Sequence, residues 1–146
     1  MKKIIASVVL AVAATGAMAA DDKVMLPIAD AMAANDAQGK LGDAVKFYFA
    51  GQETPKVLDK LGTDKTSQKT NGFGKSIETA CNWVFLSNML SLQKRAKALG
   101  ANAVINIVSN YKNVENPSQT EFECHDGGLM TGVALKGDFV RIEEKK

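Results

Sequence analysis

Several residue types are scarce in this chain of 146 residues, and each shortage limits what the protein can be. It has two cysteines, one histidine and one tryptophan, and aromatic residues make up only 6% of it. If the cysteines are oxidised to a disulfide, one histidine and scattered carboxylates remain, short of the three or four ligands of a usual zinc site. The clearest apolar run, residues 4–14, is shorter than the roughly 20 residues that a membrane-spanning helix needs.

The first 19 residues have the three parts of a secretory signal peptide. Lys2 and Lys3 precede the apolar run, and Ala17 and Ala19 are the small residues that a signal peptidase requires. The pattern predicts cleavage before Ala20 and a soluble periplasmic protein. No cysteine lies beside this site to accept a lipid, so we expect no membrane anchor.

Charge is balanced once the signal peptide is set aside. Removing its two lysines from the total of 18 Lys and Arg leaves 16, against 16 Asp and Glu. No run of basic residues interleaved with aromatics remains, so we do not expect nucleic-acid binding. Residues 20–146 have the length of a single domain.

A long helix is the clearest element in the sequence. Ser76 is a good N-cap, Glu78 follows in the first turn, Lys97 lies near the end, and Gly100 stops the pattern. Helical spacing places one apolar set on a common side, which we expect to cover a sheet. This set consists of Cys81, Phe85, Met89, Leu92, Ala96 and Leu99.

Strands are predicted after the helix and before it. Residues 101–109 are rich in β-branched side chains, residues 121–124 are extended, and a turn at 126–128 leads into one long strand over 131–142, with a bulge expected at Gly137. Upstream, residues 43–50 predict a strand, 27–41 a short helix, and 56–70 either an edge strand or a loop. We therefore expect an α+β fold, a small sandwich in which the long helix packs on a mostly antiparallel sheet.

The run from Ala96 to Ile107, followed by a hairpin that ends in Gly132-Val-Ala134, resembles YbjQ-like domains, which carry a heavy-metal-binding label. It is similar to the domain of the Rcs stress-sensor lipoproteins of the outer membrane. The resemblance covers roughly residues 76–142 and implies a helix packed on a sheet. Cys81 and Cys124 also resemble one disulfide of that sensor, but the lipid-accepting cysteine and the second disulfide are missing, so anchoring and sensing do not carry over. The chain as a whole is similar to small secreted proteins labelled excinuclease ATPase subunits.

A short string, Gly72-Phe-Gly-Lys75-Ser76, has the composition of the end of a phosphate-binding P-loop. The glycine that should stand five positions before Gly74 is replaced by Lys69, and no buried strand is predicted before the loop. We therefore expect no nucleotide binding and interpret the string as a glycine-rich entry to the helix.

Cys81 and Cys124 could form a disulfide, bind a metal or act as a redox pair. In an exported protein, two cysteines without a CxxC motif most often form a structural disulfide, which is the interpretation we favour. His125 lies in Glu123-Cys-His-Asp126, where we expect a polar strand end rather than a metal site. No catalytic residue, metal ligand or cofactor is predicted.

A second apolar set, Trp83, Leu86 and Leu90, falls on the side of the helix away from Cys81. Either residues 24–50 cover it, or it is an interaction face for a second copy or another protein. We favour cover from within the chain, because monomers rarely leave such patches exposed.

These observations favour a non-enzymatic periplasmic binding or interaction domain, with a link to envelope stress as an open possibility. The alternative is a small-ligand or metal-binding periplasmic carrier, which the family label suggests. A hydrolase is the least favoured of the classes considered.

Overall fold

The computed structural model describes residues 22–144. The predicted signal peptide, residues 1–19, and the cleavage site before Ala20 lie outside these residues. In chain order, the elements are β1 (Asp22–Pro27), α1 (Ile28–Ala33), α2 (Ala37–Leu41), β2 (Lys46–Phe49), β3 (Val57–Asn71), α3 (Ile77–Leu99), β4 (Ala103–Ser109), a 3-10 turn (Tyr111–Asn113), β5 (Glu121–Asp126) and β6 (Met130–Ile142).

The predicted long helix is confirmed as α3, with the predicted residues at both ends. The Ser76 hydroxyl accepts a hydrogen bond from the Thr79 backbone N–H at 3.1 Å, which satisfies one of the free donors of the first turn. At the other end Gly100 adopts a left-handed conformation with φ 75°, and its N–H bonds back to the carbonyls of Ala96 and Lys97. Glycine adopts this conformation without steric cost, so it ends the helix here.

The sheet is built around the long strand β6. Along one edge β6 pairs with β3, and along the other it pairs with β4 and briefly with β5. β1 adds to β5 in antiparallel fashion, while β2 adds to β4 in parallel. The mostly antiparallel α+β fold is confirmed. Residues 56–70, for which the sequence predicts an edge strand or a loop, lie almost entirely in the 15-residue strand β3, which extends to Asn71.

The irregularity expected at Gly137 lies opposite it, on β4. Ile105 pairs with Asp138 and Val108 with Lys136, so two residues of β4 face the single residue Gly137, and Asn106 takes a positive φ of 51°. A Cβ at Gly137 would lie 2.6 Å from Val104 Cγ1. Glycine is therefore needed at 137 so that the bulged neighbour can approach closely.

The N-terminal segment differs in detail from expectation. The single short helix predicted in residues 27–41 is two helices, α1 and α2, separated where Asn35 and Asp36 take positive φ values of 57° and 54°. The strand predicted over 43–50 is shortened to β2. Both helices contact α3, and the Gln93 side chain donates a hydrogen bond to the Leu41 carbonyl at the end of α2.

Helix α3 covers one face of the sheet, and the main core lies between them. The ring of Phe85, on α3, lies 4.5 Å from that of Phe122 on β5 and 6.0 Å from that of Phe49 on β2, measured between centroids. All of the predicted core side of α3 is buried except Leu99, which is half-buried. On the other face of the sheet, a smaller cluster forms around Ala103, Ile105, Val140 and Ile142. Within residues 22–144, no helix is long and apolar enough to cross a membrane.

Candidate functional site

The two cysteines meet across the core. Cys81 lies in the second turn of α3 and Cys124 on the face of β5 that α3 covers, and they form a disulfide with a Cα–Cα distance of 6.0 Å. Both side chains are fully buried. The structure therefore confirms the predicted pairing, and the disulfide fastens the start of the helix to the sheet.

Next to this disulfide, one end of the molecule exposes apolar side chains that the sequence analysis did not single out. We call this surface the apolar end and define it by Phe73, Ile77, Leu129 and Met130. Their exposed fractions are 74%, 36%, 67% and 50%. They come from the turn before α3, from the first residue of α3, and from the β5–β6 turn together with the first residue of β6.

Hydrogen bonds hold the two turns of the apolar end together. The Gly72 N–H donates to the Leu129 carbonyl at 2.9 Å, and Asn71 pairs with Met130 in the sheet. A Cβ at Gly72 would lie 2.5 Å from the Thr131 hydroxyl, so glycine permits this close approach. Phe73 and Leu129 are thus carried on neighbouring segments of fixed backbone.

The string from Gly72 to Ser76 belongs to this end of the molecule. The Phe73 N–H donates to the Asn71 side-chain oxygen, the Lys75 N–H donates to the Gly72 carbonyl, and Gly74 has a φ of 73°. The segment therefore forms a tight turn that leads into the capped helix, and the strand before it, β3, is mostly exposed. Nucleotide binding is not tested by this geometry and remains an expected absence.

Trp83, Leu86 and Leu90 do not share one environment. Leu86 is 3% exposed and belongs to the core with Ile28 of α1 and Leu41 of α2. Leu90 is half-buried against the same core, whereas Trp83 is 47% exposed, with Lys40 Nζ of α2 5.2 Å from the centre of its ring. The short N-terminal helices thus lie over this side of α3, and Trp83 stands at their margin.

His125 lies on the sheet face opposite α3, in a cluster that encloses a carboxylate. Its Nε2 is 2.5 Å from Glu123 Oε2, its ring stacks on Tyr111 with centroids 3.4 Å apart, and the Asn116 amide donates to Glu123 Oε1 at 2.9 Å. Lys23 Nζ lies 3.9 Å from the same carboxylate. The expected polar strand end is in fact an organised hydrogen-bonded cluster.

Two opposing effects act on the Glu123 carboxyl, which is 7% exposed. Burial raises its pKa, but the hydrogen bonds from His125 and Asn116 and the positive charges of His125 and Lys23 together lower the pKa below its usual value. The carboxylate form is therefore favoured in the folded protein. In the part of the chain that the structure describes, no three His, Cys, Asp or Glu side chains come together in a group that could hold a metal ion.

The signals for these surfaces were weak in the sequence. Phe73 and Leu129 stand beside glycines in turns, and Met130 follows Leu129 as the first residue of β6, so no periodic pattern marks them as a group. Glu123 and Asn116 meet only because residues 110–118 fold back over β5. The spacing of the residues carries no information about that fold-back.

No family model matches this chain, and no curated protein matches it significantly. The resemblance to YbjQ-like domains therefore stays a prediction from the sequence.

Proposed function

We propose that this chain is an exported, non-enzymatic binding domain that contacts another protein through its apolar end. One observation carries the proposal. Four apolar side chains from three separate segments, Phe73, Ile77, Leu129 and Met130, are exposed together on a backbone held by hydrogen bonds. Large exposed apolar surfaces on a folded domain mark sites of interaction, and these side chains make this end of the molecule the candidate for one.

The composition of the apolar end suits a protein partner. Phenylalanine and methionine are both enriched in protein interfaces, and the flexible methionine side chain adapts to irregular surfaces. The glycines of the two turns leave Phe73 and Leu129 protruding. A concave apolar site on a partner would bury these two side chains.

The disulfide supports the same proposal. Cys81 follows Ile77 by one helical turn, and Cys124 lies two residues before the turn that contains Leu129. Because the disulfide links the two segments that carry the apolar end, less conformational entropy is lost when a partner binds. A disulfide of this kind fits an oxidising compartment such as the periplasm.

Two double variants test the proposal. Phe73→Ser/Leu129→Ser removes two side chains of the apolar end, and Val57→Ser/Leu58→Ser removes an exposed apolar pair from the far end of β3 as a matched control. Both variants should keep the wild-type melting temperature, because all four side chains are exposed. Only the first should lose self-association in light scattering or lose a partner that the wild type retains from an extract of exported proteins.

Equal behaviour of the two variants, with melting temperatures unchanged, would contradict the proposal. The metal-carrier alternative is tested separately, by measuring the metal content of the purified protein. A link to envelope stress rests on the resemblance alone, and induction of the gene by envelope damage would support it.

A further inference from the structure

A cleft of about 370 Å³ opens between β3 and the 3-10 turn, on the sheet face opposite α3. It shares no residue with the apolar end. Successive side chains of a strand point to opposite faces of the sheet. Asp64 of β3 lies on the α3 side, where its Oδ2 is 3.6 Å from Arg95 Nε, so Lys65 and Ser67 lie on the opposite face. The lining residues are Lys65, Thr66, Ser67, Asn110, Lys112, Asn113 and Ala134.

The cleft concentrates positive charge. Lys65 and Lys112 line it from opposite sides, and no carboxylate is among the lining residues of the described chain. Within residues 22–144 neither lysine forms an ion pair; Lys65 Nζ instead donates to the neutral Asn113 side-chain oxygen at 2.6 Å. Two cations of the cleft are therefore left without a neutralising acid.

Neighbouring acids are already paired with other cations. Glu115 accepts from Lys136 Nζ at 3.0 Å, and Asp64 pairs with Arg95. Lys136 lies directly across the sheet from Lys65, but its charge is neutralised by Glu115. Lys65 is therefore the lysine of this pair that has no acidic partner.

A buried amide provides the second, independent observation. Asn110 is only 6% exposed and lines the cleft, yet its side chain makes no hydrogen bond within the described residues. Its backbone is fixed by a bond from its N–H to the Ala134 carbonyl at 2.9 Å. The amide atoms are not among the fully buried polar atoms that lack a partner, so they keep access to solvent in the cleft and can bond a group that enters it.

The backbone of the 3-10 turn is held in an uncommon conformation at the same place. Lys112 and Asn113 take positive φ values of 52° and 62°. Asparagine tolerates this region, whereas lysine adopts it only with backbone strain. This conformation directs Lys112 toward the ring of Tyr111, 5.6 Å from Nζ, at the rim of the cleft.

We propose that this cleft binds a small molecule that carries a phosphate or carboxylate group. Lys65 and Lys112 supply the opposite charge, and the Asn110 amide and the Ser67 hydroxyl supply neutral donors. Charge-assisted hydrogen bonds of this kind are the strong ones in proteins. The volume lies at the small end of the range for ligand pockets, which suits a compact ligand.

Nuclear magnetic resonance titration of the mature protein tests the proposal at the level of single residues. The probes are inorganic phosphate, glycerol 3-phosphate and citrate, with phosphatidylglycerol vesicles as a separate arm. We expect saturable shifts of the Asn110 side-chain amide and of the Lys65 and Lys112 backbone amides with at least one probe. Shifts with the soluble anions identify a free ligand, and shifts with the vesicles alone identify a lipid headgroup as the source.

Two variants make the outcome specific. Lys112→Gln should raise the dissociation constant about tenfold, the effect of losing roughly 1.4 kcal/mol from one charged contact. Lys94→Gln, an exposed lysine of α3 on the far side of the sheet, should leave it unchanged. No saturable shift with any probe, or equal weakening by both variants, would overturn the proposal.

Discussion

Glu123 is a carboxylate whose charge is stabilised by its immediate neighbours. It is almost fully buried on the face of β5 opposite α3, where it contacts the side chains of His125, Asn116 and Lys23. Its backbone N–H also donates to the Ser109 hydroxyl at 2.9 Å. Each of these partners comes from a different segment, so the residue ties β1, β4, β5 and the 110–118 segment together.

Acidification should lower the free energy of unfolding, in part because Glu123 becomes protonated. The pKa of Glu123 is lowered in the folded state, so its contribution to the free energy of unfolding is present above the ordinary carboxyl pKa of about 4.3 and is lost as the pH falls through the lowered folded value. Glu123→Gln should therefore unfold more readily at neutral pH and lose less stability on acidification. Urea unfolding between neutral pH and about pH 3 measures both effects.

Glu121→Gln is the matched control for that prediction, because Glu121 is an exposed glutamate of the same strand. It should follow the wild-type curve. Parallel pH curves for wild type and Glu123→Gln would show that the cluster does not hold the carboxylate as described.

Between elements, the close contact of β4 with β6 depends on the absence of a side chain at Gly137. Gly137→Ala should lower the free energy of unfolding by about 1–3 kcal/mol, because the new Cβ would overlap the stiff Val104 side chain. Gly132→Ala on the same strand is the control, since its Cβ would meet neighbours only at 3.6 Å or more. Thermal unfolding compares the two, and equal stability would contradict the close approach described at the bulge.

The sequence was sufficient to predict the elements whose signals are local. The ends of α3 follow from Ser76 and Gly100, and its covered side follows from helical spacing. β3 was ambiguous because its polar, lysine- and threonine-rich composition is that of an exposed edge, which looks like a loop until a partner strand is known. Because glycine marks irregular sites in strands, the sequence predicts a bulge at Gly137. The extra residue lies instead on the neighbouring strand, β4.

The candidate surfaces could not be predicted in the same way, since they depend on contacts between distant segments. The disulfide followed from two cysteines in an exported chain. The apolar end required the pairing of Asn71 with Met130, and the cleft required the 3-10 turn to lie over β3. Helical spacing predicts that Trp83, Leu86 and Leu90 share one side of α3, but it does not show that Leu86 is buried with residues of α1 and α2 while Trp83 stays 47% exposed.

At the scale of the whole molecule, the disulfide joins the helical layer to the sheet across 43 residues of chain. Loop-closure entropy assigns a disulfide of this span about 4 kcal/mol. Cys81→Ser/Cys124→Ser should lower the melting temperature by on the order of 10 °C, given the size of the domain. Wild-type protein treated with reductant is the control, and it should have the same melting temperature as the double variant. Two free thiols in the oxidised protein, or an unchanged melting temperature on reduction, would contradict this account.

Site-specific photo-crosslinking in living cells shows whether the apolar end contacts another protein. A photoreactive amino acid is placed at Leu129 in one protein and at Leu58 in another, two leucines with exposed fractions of 67% and 56%. We expect a discrete protein adduct from position 129 that Phe73→Ser abolishes, and no such adduct from position 58. Equal labelling at the two positions, or no adduct from position 129, would contradict it.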